Sequence, residues 1–485
     1  MEQEVRLLEP SVVWKNFADL NAVPRPSKKE ERVIAFMEKF GSSLGLETFK
    51  DAVGNVIIRK PATPGMESKK TVVLQSHLDM VHQKNNDTVF DFDKEGIQMH
   101  VVGDWVKARG TTLGADNGMG VAAIMALLES NSIPHPPLEA LFTIDEETGM
   151  TGAKGLQPGV LKGEILLNLD TEEDDEIDIG CAGGIDITAE GTYQESKLPV
   201  GSLGFRLTVN GLNGGHSGIE IHLGLGNANK IMNRLLYAAS EAGEIGIVQI
   251  AGGGLRNAIP RESVAHFGIN SGHEEVVNAI EEMSREIQEE LSVREPKLKI
   301  ELLEEKIEGA SMEKNAQKSL LAALYGVHNG VFAMSAAIDG LVETSNNLAR
   351  VEVGHGSIKI GCLTRSSVES GKFDLAHSIK SVFQLAGYKV SLSGDYPGWS
   401  PNPNSKILTI LKTQYEKLFK ETPEVVACHA GLECGILGSH YPNMDMISFG
   451  PTIKGAHSPD ERVQISSVRK FWKFLQVILT EIPNK

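Results

Sequence analysis

Acidic residues and histidines follow short apolar segments at four separate places in this chain. In chain order, these candidates are His77 and Asp79, then Asp145, Glu146 and Glu147, then Asp170, and finally His457. A fifth place is the glycine-rich loop TLGADNG, which sets Asp116 before a predicted helix. Imidazole and carboxylate ligands without thiolates suit zinc, manganese or cobalt ions. Because clustered carboxylates repel one another and a divalent cation removes that conflict, the pattern favours a metal site.

Each of these residues has a plainer interpretation when it is taken alone. A single Asp after a strand is more often a capping or surface group than a ligand, and 14 histidines make a chance His-x-Asp pair expected. The joint placement of the five segments is more specific. In open parallel sheets the functional cleft lies outside the carboxyl ends of the strands. The sequence therefore predicts that these residues converge on one edge of one sheet.

The segments that must position these residues alternate between strands and helices. Strands are predicted at 53–59, 71–75, 138–144 and 164–169, and helices at 12–20, 28–44 and 117–129. Such alternation predicts an α/β fold with a mainly parallel sheet covered on both faces.

The middle of the chain follows a different pattern. From about residue 202 the order becomes strand, helix, strand, strand, helix, strand, which indicates an α+β domain. The α/β pattern returns after the proline-rich stretch YPGWSPNPN, and the glycine-rich stretch GCAGG at 180–184 is predicted to be a flexible break. We therefore predict a catalytic domain formed by 1–183 and 400–485, with a lid domain at 184–399 inserted into it.

Composition narrows the functional classes further. The 485 residues carry a formal net charge of -17 and no Lys/Arg cluster, so we expect no nucleic-acid partner. The N-terminal segment lacks the apolar run of a signal peptide, and no apolar stretch has the length of a membrane span. Four cysteines do not make a disulfide framework. We expect a cytoplasmic protein with no membrane partner.

The motif set resembles the co-catalytic zinc peptidases, a family that includes aminoacylase, glutamate carboxypeptidases and the dipeptidases that cleave carnosine. The matching motifs are His77-x-Asp79, Gly114-Ala-Asp116-Asn117, Asp145-Glu146-Glu147, Asp170 and His457. The resemblance covers essentially the whole chain. The segments SHLDMVHQKN, GTTLGADNGMG, TIDEETGMTGA and FGPTIKGAHSPDERV are most similar to the bacterial aminoacyl-histidine dipeptidase branch. This resemblance implies a phosphorylase/hydrolase-like catalytic domain with an inserted lid.

The resemblance also implies a metal-ligand set. Asp116 would bridge two divalent ions, with zinc expected and manganese or cobalt as alternatives. His77 and Asp170 would complete one site, and Glu147 and His457 the other. In members of the family the bridging Asp precedes a cis peptide bond, so we expect one between Asp116 and Asn117.

Further roles follow from the same resemblance. Asp79 would orient His77 from behind, and Glu146 would be the general base. His216 in GLNGGHSG would polarise the substrate carbonyl from the lid, although a histidine among glycines is also typical of a turn.

Three more residues correspond to substrate contacts in the family, two of them in the lid. Asn257 in LRNAIP and Arg365 in CLTRSS would hold the substrate's backbone and terminal carboxylate, and Gly431 in HAGLECG would make a backbone contact. The plainer alternatives are a turn for Asn257 and a surface ion pair for Arg365.

The implied function is metal-dependent hydrolysis of dipeptides, of the Xaa-His type such as carnosine and with broad specificity, by a homodimer whose lid closes on the substrate. One alternative is an amidohydrolase that removes an acyl or succinyl group from an amino acid. Another, of a different class, is an inactive peptide-binding protein. The second requires a lost base or ligand, whereas Glu146 and all the ligand-type residues are present.

Overall fold

Helices and strands alternate along most of the computed structural model, which describes residues 2–307 and 309–485. The helices are α1 (Glu2–Arg6), α2 (Ser11–Asn21), α3 (Glu31–Ser43), α4 (Ala115–Glu129), α5 (Thr151–Gly155), α6 (Ala228–Ala242), α7 (His273–Leu291), α8 (Lys314–Gly326), α9 (Glu369–Leu385), α10 (Lys406–Phe419), α11 (Glu433–His440) and α12 (Ile465–Glu481). Within the described ranges, none of these helices is long and apolar enough to cross a membrane.

The strands are short in the first third of the chain and longer in the middle. They are β1 (Glu47–Lys50), β2 (Val56–Lys60), β3 (Val72–His77), β4 (Met99–Val102), β5 (Trp105–Ala108), β6 (Leu138–Thr143), β7 (Ile165–Asn168), β8 (Glu176–Cys181), β9 (Gly183–Thr192), β10 (Glu195–Lys197), β11 (Leu203–Asn210), β12 (Glu244–Gly253), β13 (Ser263–Ser271), β14 (Lys299–Glu304), β15 (Ala310–Met312), β16 (Gly330–Met334), β17 (Val342–Gly354), β18 (Ser357–Ser366), β19 (Lys389–Tyr396), β20 (Glu424–Cys428), β21 (Asp445–Ser448), β22 (Ile453–Lys454) and β23 (Arg462–Gln464).

The chain folds into two compact units. The first unit contains the residues up to Gly180 together with Trp399–Ala427 and Leu432–Lys485, and the second contains Cys181–Gly398 and Cys428–Gly431. The short segment 428–431 thus groups with the second unit, whereas the sequence placed it in the catalytic domain. The reason is backbone pairing, since the N–H of Ala182 donates to the carbonyls of Cys428 and Ala430, at 3.0 Å each.

The first unit is built on an eight-stranded sheet of order β1-β2-β6-β3-β7-β21-β8-β20. The central pairs β6/β3, β3/β7 and β7/β21 are parallel, whereas β1 and β2 pair antiparallel at one side. Every residue of β3, β6 and β7 is buried, as the apolar runs of a sheet covered on both faces require. The predicted α/β class with a mainly parallel sheet is confirmed.

The parallel register brings the predicted site residues to one edge of this sheet. His77 is the last residue of β3 and lies opposite Thr143, the last residue of β6. Residues 145–147 therefore begin two positions beyond a strand end that is level with His77. Asp170 follows β7, which also pairs with β3. Helix α4 opens directly after Gly114, and Asp116 lies at its start, where the backbone of Asp116 and Asn117 is not yet helical.

The second unit is an α+β domain, as the sequence predicted. Its main sheet has the order β14-β11-β13-β12-β17-β18-β9-β19, with β16 paired to β17, and the registered neighbours are antiparallel. A buried core joins this sheet to its helices, with Leu207 contributed by β11, Leu235 by α6 and Phe383 by α9. The loops that carry polar residues are therefore held in place by the sheet as well as by the helices.

The glycines at 180–184 differ from the sequence expectation. We expected a flexible break, but Gly180 lies within β8 and Gly183 is the first residue of β9. The whole stretch is buried. A Cβ on Gly183 would lie 2.4 Å from the backbone nitrogen of Gly398 and 2.5 Å from the carbonyl oxygen of Tyr396. Glycine is thus required here by the close approach of two backbone segments within the second unit.

This close approach predicts the effect of a single methyl group. Gly183→Ala should lower the free energy of unfolding by roughly 1–3 kcal/mol, the usual cost of overpacking, because backbone atoms cannot rotate away. Gly254→Ala is the matched control, since a Cβ there meets nothing within 4 Å. It should stay within about 0.5 kcal/mol of the parent protein. Urea unfolding measures both, and equal stabilities would contradict the packing explanation.

Candidate active site

All five predicted metal ligands and the predicted base gather within the first unit. Their ligand atoms form three groups, each with its atoms within 4.8 Å of one another: His77, Asp116 and Asp170; Asp116, Glu147 and His457; His77, Glu146 and Glu147. The first two groups share Asp116. This is the arrangement expected of two neighbouring cations that have one carboxylate in common.

Asp116 lies between two imidazole rings. Its Oδ1 is 3.2 Å from Nε2 of His77, and its Oδ2 is 3.1 Å from Nε2 of His457. Beyond these contacts, Nε2 of His77 is 3.6 Å from Oδ1 of Asp170, and Nε2 of His457 is 3.0 Å from Oε2 of Glu147. Because each Asp116 oxygen faces a different ring, this carboxylate has the geometry of a bridging ligand.

The carboxyl groups of this cluster disfavour one another's ionised form. Burial, reinforced by the negative charges of Asp170 and Glu147, raises the pKa of Glu146 well above its usual range despite the neighbouring His77. Burial and the charge of Asp116 likewise raise the pKa of Glu147. In addition, Oε1 of Glu147 is buried without a hydrogen-bond partner among the described residues. A divalent cation would remove the repulsion and supply the missing partner.

For the two histidines, by contrast, the surroundings favour the charged form of the side chain. Hydrogen bonds to Asp116 and then Glu147 raise the pKa of His457 to about 11. Burial lowers the pKa of His77, but Asp170 and Asp116 outweigh it, so the net pKa is well above the usual value. Their Nε2 atoms face the carboxylates, and a metal ion would bind there in place of the ring protons. The residues therefore fit a divalent metal centre.

Asp79 supports more of the site than the sequence indicated. Its carboxylate accepts hydrogen bonds from the backbone N–H groups of Glu146, at 3.0 Å, and Glu147, at 3.3 Å, and from the hydroxyl of Ser27, at 2.7 Å. For His77, the shorter contact of Nδ1 is to the Asp79 carbonyl, at 3.2 Å, and the carboxylate is at 3.5 Å. Asp79 thus positions the candidate base and a candidate ligand besides orienting His77.

Glu461 holds the loop that carries Asp116. One carboxylate oxygen accepts the N–H groups of Leu113, at 2.7 Å, and Gly114, at 3.0 Å; the other accepts those of Ala115, at 2.7 Å, and Asp116, at 3.2 Å. Four backbone donors thus converge on one buried side chain. Burial raises the pKa of Glu461 to about 7, and the hydrogen bonds from these backbone N–H groups oppose that shift because they favour the ionised carboxylate.

Arg25 links this loop to the end of β3. Its guanidinium donates to the carbonyls of Leu78 at 3.0 Å, Asp79 at 3.1 Å and Gly114 at 2.5 Å. Burial lowers the pKa of Arg25 to about 10, while Glu461 opposes that shift, so the group remains cationic at neutral pH. A buried cation thus fixes two ligand-bearing segments relative to each other.

Asn117 holds the third ligand-bearing segment. Its side-chain amide donates to the carbonyl of Leu169 at 2.6 Å and to the carboxylate of Asp170. The peptide bond between Asp116 and Asn117 is cis, which confirms that expectation.

In the second unit, His216 is held by its own loop. Its Nδ1 accepts the backbone N–H groups of Gly218, at 3.2 Å, and Ile219, at 3.0 Å. Backbone amides are donors only, so Nδ1 is unprotonated and the neutral ring carries its proton on Nε2. The turn interpretation and the functional one are therefore compatible, because the turn sets the tautomer that donates through Nε2.

The other three predicted substrate residues also lie in the second unit. Arg365 is only 6% exposed and donates from Nη1 to the hydroxyl of Tyr396 at 2.8 Å, so the surface ion-pair alternative is wrong. The side chain of Asn257 is exposed, while its carbonyl accepts the N–H of Ser217 at 2.8 Å. Gly431 is half-buried in the segment 428–431.

Several residues that build the site were missed by the sequence analysis. These are Ser27, Arg25, Asn117 and Glu461 around the candidate metal centre, and His429 near Arg365 in the second unit. Position offered a signal only for some: Glu461 follows His457 by one short loop, and Asn117 is adjacent to Asp116. Arg25 and Ser27 lie far from every motif, so that only the folded chain reveals their contacts.

This geometry agrees with a comparison against protein families. Residues 73–481 match the model of peptidase family M20/M25/M40, which spans most of the chain. The chain belongs to this family, and the predicted membership of a metallopeptidase family is confirmed.

Individual proteins are similar to this chain over nearly its whole length. The chain is 44% identical to the cytosol non-specific dipeptidase of Escherichia coli over 99% of this chain and 100% of that protein. It is 42% identical to the aminoacylhistidine dipeptidase of Vibrio alginolyticus. The crystal structure of that protein superposes with a TM-score of 0.93, and the match covers 99% of this chain and 98% of that chain. Aminopeptidase PepT of Bacillus cereus shares the fold, with a TM-score of 0.57, 15% identity, and coverage of 98% and 99%.

The contacts of Glu461 predict a specific effect on metal binding. Glu461→Gln keeps one acceptor oxygen but turns an NH₂ group toward two backbone N–H donors, which should displace the Asp116 loop. We expect metal affinity to fall by about 10–100-fold, as it does when groups behind metal ligands are changed. Competition with a chromophoric chelator measures this. Asp460→Asn is the control, because Asp460 is exposed and next in sequence; equal affinities in all three proteins would refute the role of Glu461.

Proposed function

We propose that this chain hydrolyses dipeptides, with broad specificity that includes Xaa-His dipeptides such as carnosine. The observation that carries the proposal is the pair of ligand groups that share Asp116, next to the carboxyl group of the half-buried Glu146. Support comes from the near full-length similarity to proteins named as a non-specific dipeptidase and an aminoacylhistidine dipeptidase.

The proposed cofactor is a pair of divalent ions, zinc in the first place, with manganese or cobalt as alternatives. His77 and Asp170 would hold one ion, Glu147 and His457 the other, and Asp116 both. When bound, such ions act as Lewis acids that acidify water and polarise a carbonyl group. The mixed imidazole and carboxylate donors support this choice of metals.

In this proposal Glu146 is the proton carrier. The residue is half-buried and is held through its backbone N–H by Asp79, which fixes where its carboxyl group can reach. Glu146 takes a proton from the attacking water and then delivers it to the amine that leaves. The donated Nε2–H of His216 stabilises the oxyanion that develops on the carbonyl oxygen.

The remaining assignments concern substrate binding. We assign Arg365 to the free carboxylate of the C-terminal residue, Asn257 to the substrate backbone and Gly431 to a backbone contact. A guanidinium that binds a terminal carboxylate would restrict the enzyme to short peptides. The burial of Arg365 supports this, because a buried cation needs an anionic partner.

The proposal also includes the cellular location and the oligomeric state of the enzyme. We assign it to the cytoplasm, on the similarity to a cytosolic dipeptidase, and to a homodimer, on the family resemblance. Sedimentation velocity tests the oligomeric state. Closure of the second unit as a lid stays a prediction, which solution scattering with and without a non-cleavable dipeptide analogue would test.

The assignment of Glu146 as base and Glu147 as ligand predicts opposite phenotypes for matched variants. Glu146→Gln should keep the full metal content but lose about 10²–10⁴-fold in kcat, because proton transfer is removed and no ligand is lost. Glu147→Gln should lose metal. Metal analysis of the purified proteins, together with steady-state kinetics, distinguishes the two. Loss of metal from Glu146→Gln would show that the two roles are assigned the wrong way round.

Metal removal provides a separate prediction. Dialysis against a chelator should abolish hydrolysis of Ala-His, and added zinc should restore it; manganese and cobalt are the comparison. N-acetylhistidine tests the acylase alternative, since it retains the carboxylate but lacks a free amino terminus. Full activity after metal removal would contradict the proposed chemistry, and faster turnover of N-acetylhistidine than of Ala-His would favour the amidohydrolase.

A further inference from the structure

Two polar side chains and one backbone carbonyl group of the second unit meet around Gly218. A Cβ placed on this glycine would lie 3.1 Å from the ring of His216, 3.2 Å from Cδ of Arg365 and 2.2 Å from the carbonyl oxygen of His429. His216 and Arg365 carry proposed roles in substrate binding. His429 has none, although its carbonyl faces the same glycine and its ring contacts Ser345, which lies opposite Arg365 on the paired strands β17 and β18.

His429 is a buried histidine with half of its hydrogen-bonding capacity unused. Its side chain is 7% exposed, and Nε2 lies 2.8 Å from the hydroxyl of Ser345. Nδ1 is buried and has no hydrogen-bond partner among the described residues. The Ser345 hydroxyl can donate to Nε2, and a neutral ring then carries its proton on Nδ1. An unsatisfied buried donor of this kind is costly unless a ligand accepts from it.

The neutral state of this ring follows from its surroundings. Burial, together with the charge of Arg365, lowers the pKa of His429 to about 3, against a smaller opposing effect of the Val342 carbonyl. At neutral pH the ring is therefore an uncharged donor beside a cation. Two positive charges do not have to be accommodated in one buried place.

Arg365 also has an unused hydrogen-bond donor. Its guanidinium is buried, donates from Nη1 to Tyr396, and leaves Nε without a hydrogen-bond partner among the described residues. Asp186 interacts electrostatically with it, but its own salt bridge is to Arg256 at 3.4 Å. A buried guanidinium and a buried imidazole N–H with open donor positions together specify an anion with two acceptor oxygens.

We propose that His429 is a second substrate-binding residue for the terminal carboxylate, and that it accepts only the free acid because it and Arg365 present donors alone. The inference rests on the proposed function of Arg365. A carboxylate has two acceptor oxygens for the two side chains. A C-terminal amide would turn an NH₂ group toward a donor, and sites built around buried polar groups reject such mismatches strongly.

The test compares Ala-His with Ala-His amide on the metal-loaded enzyme. In His429→Ala, we expect KM for Ala-His to rise by about 10–100-fold, the usual loss for a hydrogen bond to a charged group, with kcat within about 2-fold. The preference for acid over amide, as the ratio of kcat/KM values, should fall by a similar factor. His429→Asn retains an N–H near the position of Nδ1 and should recover part of that preference.

Controls separate binding from structure. His328→Ala removes another histidine of the second unit, one that bonds to the Gly330 carbonyl at 3.1 Å, and should leave the acid preference unchanged. Ser345→Ala keeps the His429 ring but removes the hydroxyl that orients it, and should reduce the preference less than His429→Ala does.

The outcomes also separate this inference from the function beneath it. If His429→Ala and His429→Asn lower the melting temperature but keep the wild-type acid preference, His429 is structural and the inference is overturned. If Arg365→Ala also keeps that preference, the carboxylate assignment of Arg365 fails as well. If the wild-type enzyme does not cleave Ala-His at all, the proposed function itself is wrong.

Discussion

The repulsion among buried carboxyl groups around Asp116 is the constraint on which the rest of the structure depends. Asp116, Glu146, Glu147 and Asp170 are held within reach of two histidines, although burial and mutual charge raise the pKa of three of these four carboxyl groups. Such a group of residues would move apart if it were carried on flexible chain. Hydrogen bonds from neighbouring segments hold the cluster together, and divalent cations bound to these donors would remove the remaining repulsion.

The supporting contacts share one chemical character. Asp79 and Glu461 are themselves carboxylates, yet both are saturated by N–H donors, two from the 146–147 backbone and four from the 113–116 loop. Arg25 adds a buried cation between the two segments that they hold. Backbone donors and one guanidinium thus stabilise a strongly anionic region and hold the candidate ligands in position.

The second unit presents the complementary chemistry. Around Gly218 lie the side chains of His216 and Arg365 and the backbone carbonyl of His429. Nε of Arg365 and Nδ1 of His429 are buried without a hydrogen-bond partner among the described residues. In the proposed function, an anionic group of the substrate would accept from these donors, and divalent cations would bind the carboxylates of the first unit. The antiparallel sheet of this unit fixes the cluster through β17 and β18, which carry Ser345 and Arg365 opposite each other.

The sequence by itself determined the class of fold, the family and the set of candidate ligands. Apolar runs followed by His77, Asp145 and Asp170 are local patterns, and parallel strands necessarily place such residues at one edge of a sheet. Local patterns also gave the α+β character of the middle segment. The glycines at 180–184 show the limit of that reasoning, since the same residue type serves a flexible break and a tight backbone contact.

Only the tertiary structure decided how the site is held and what else belongs to it. Glu461 reaches the Asp116 loop across 345 residues of sequence, and Arg25 meets Gly114 across 89. The segment 428–431 joins the second unit through backbone pairing, which places His429 near Arg365. These contacts depend on long-range packing and leave no periodicity or spacing in the chain, because a hydrogen bond between distant segments constrains their positions in space and not their neighbours in sequence.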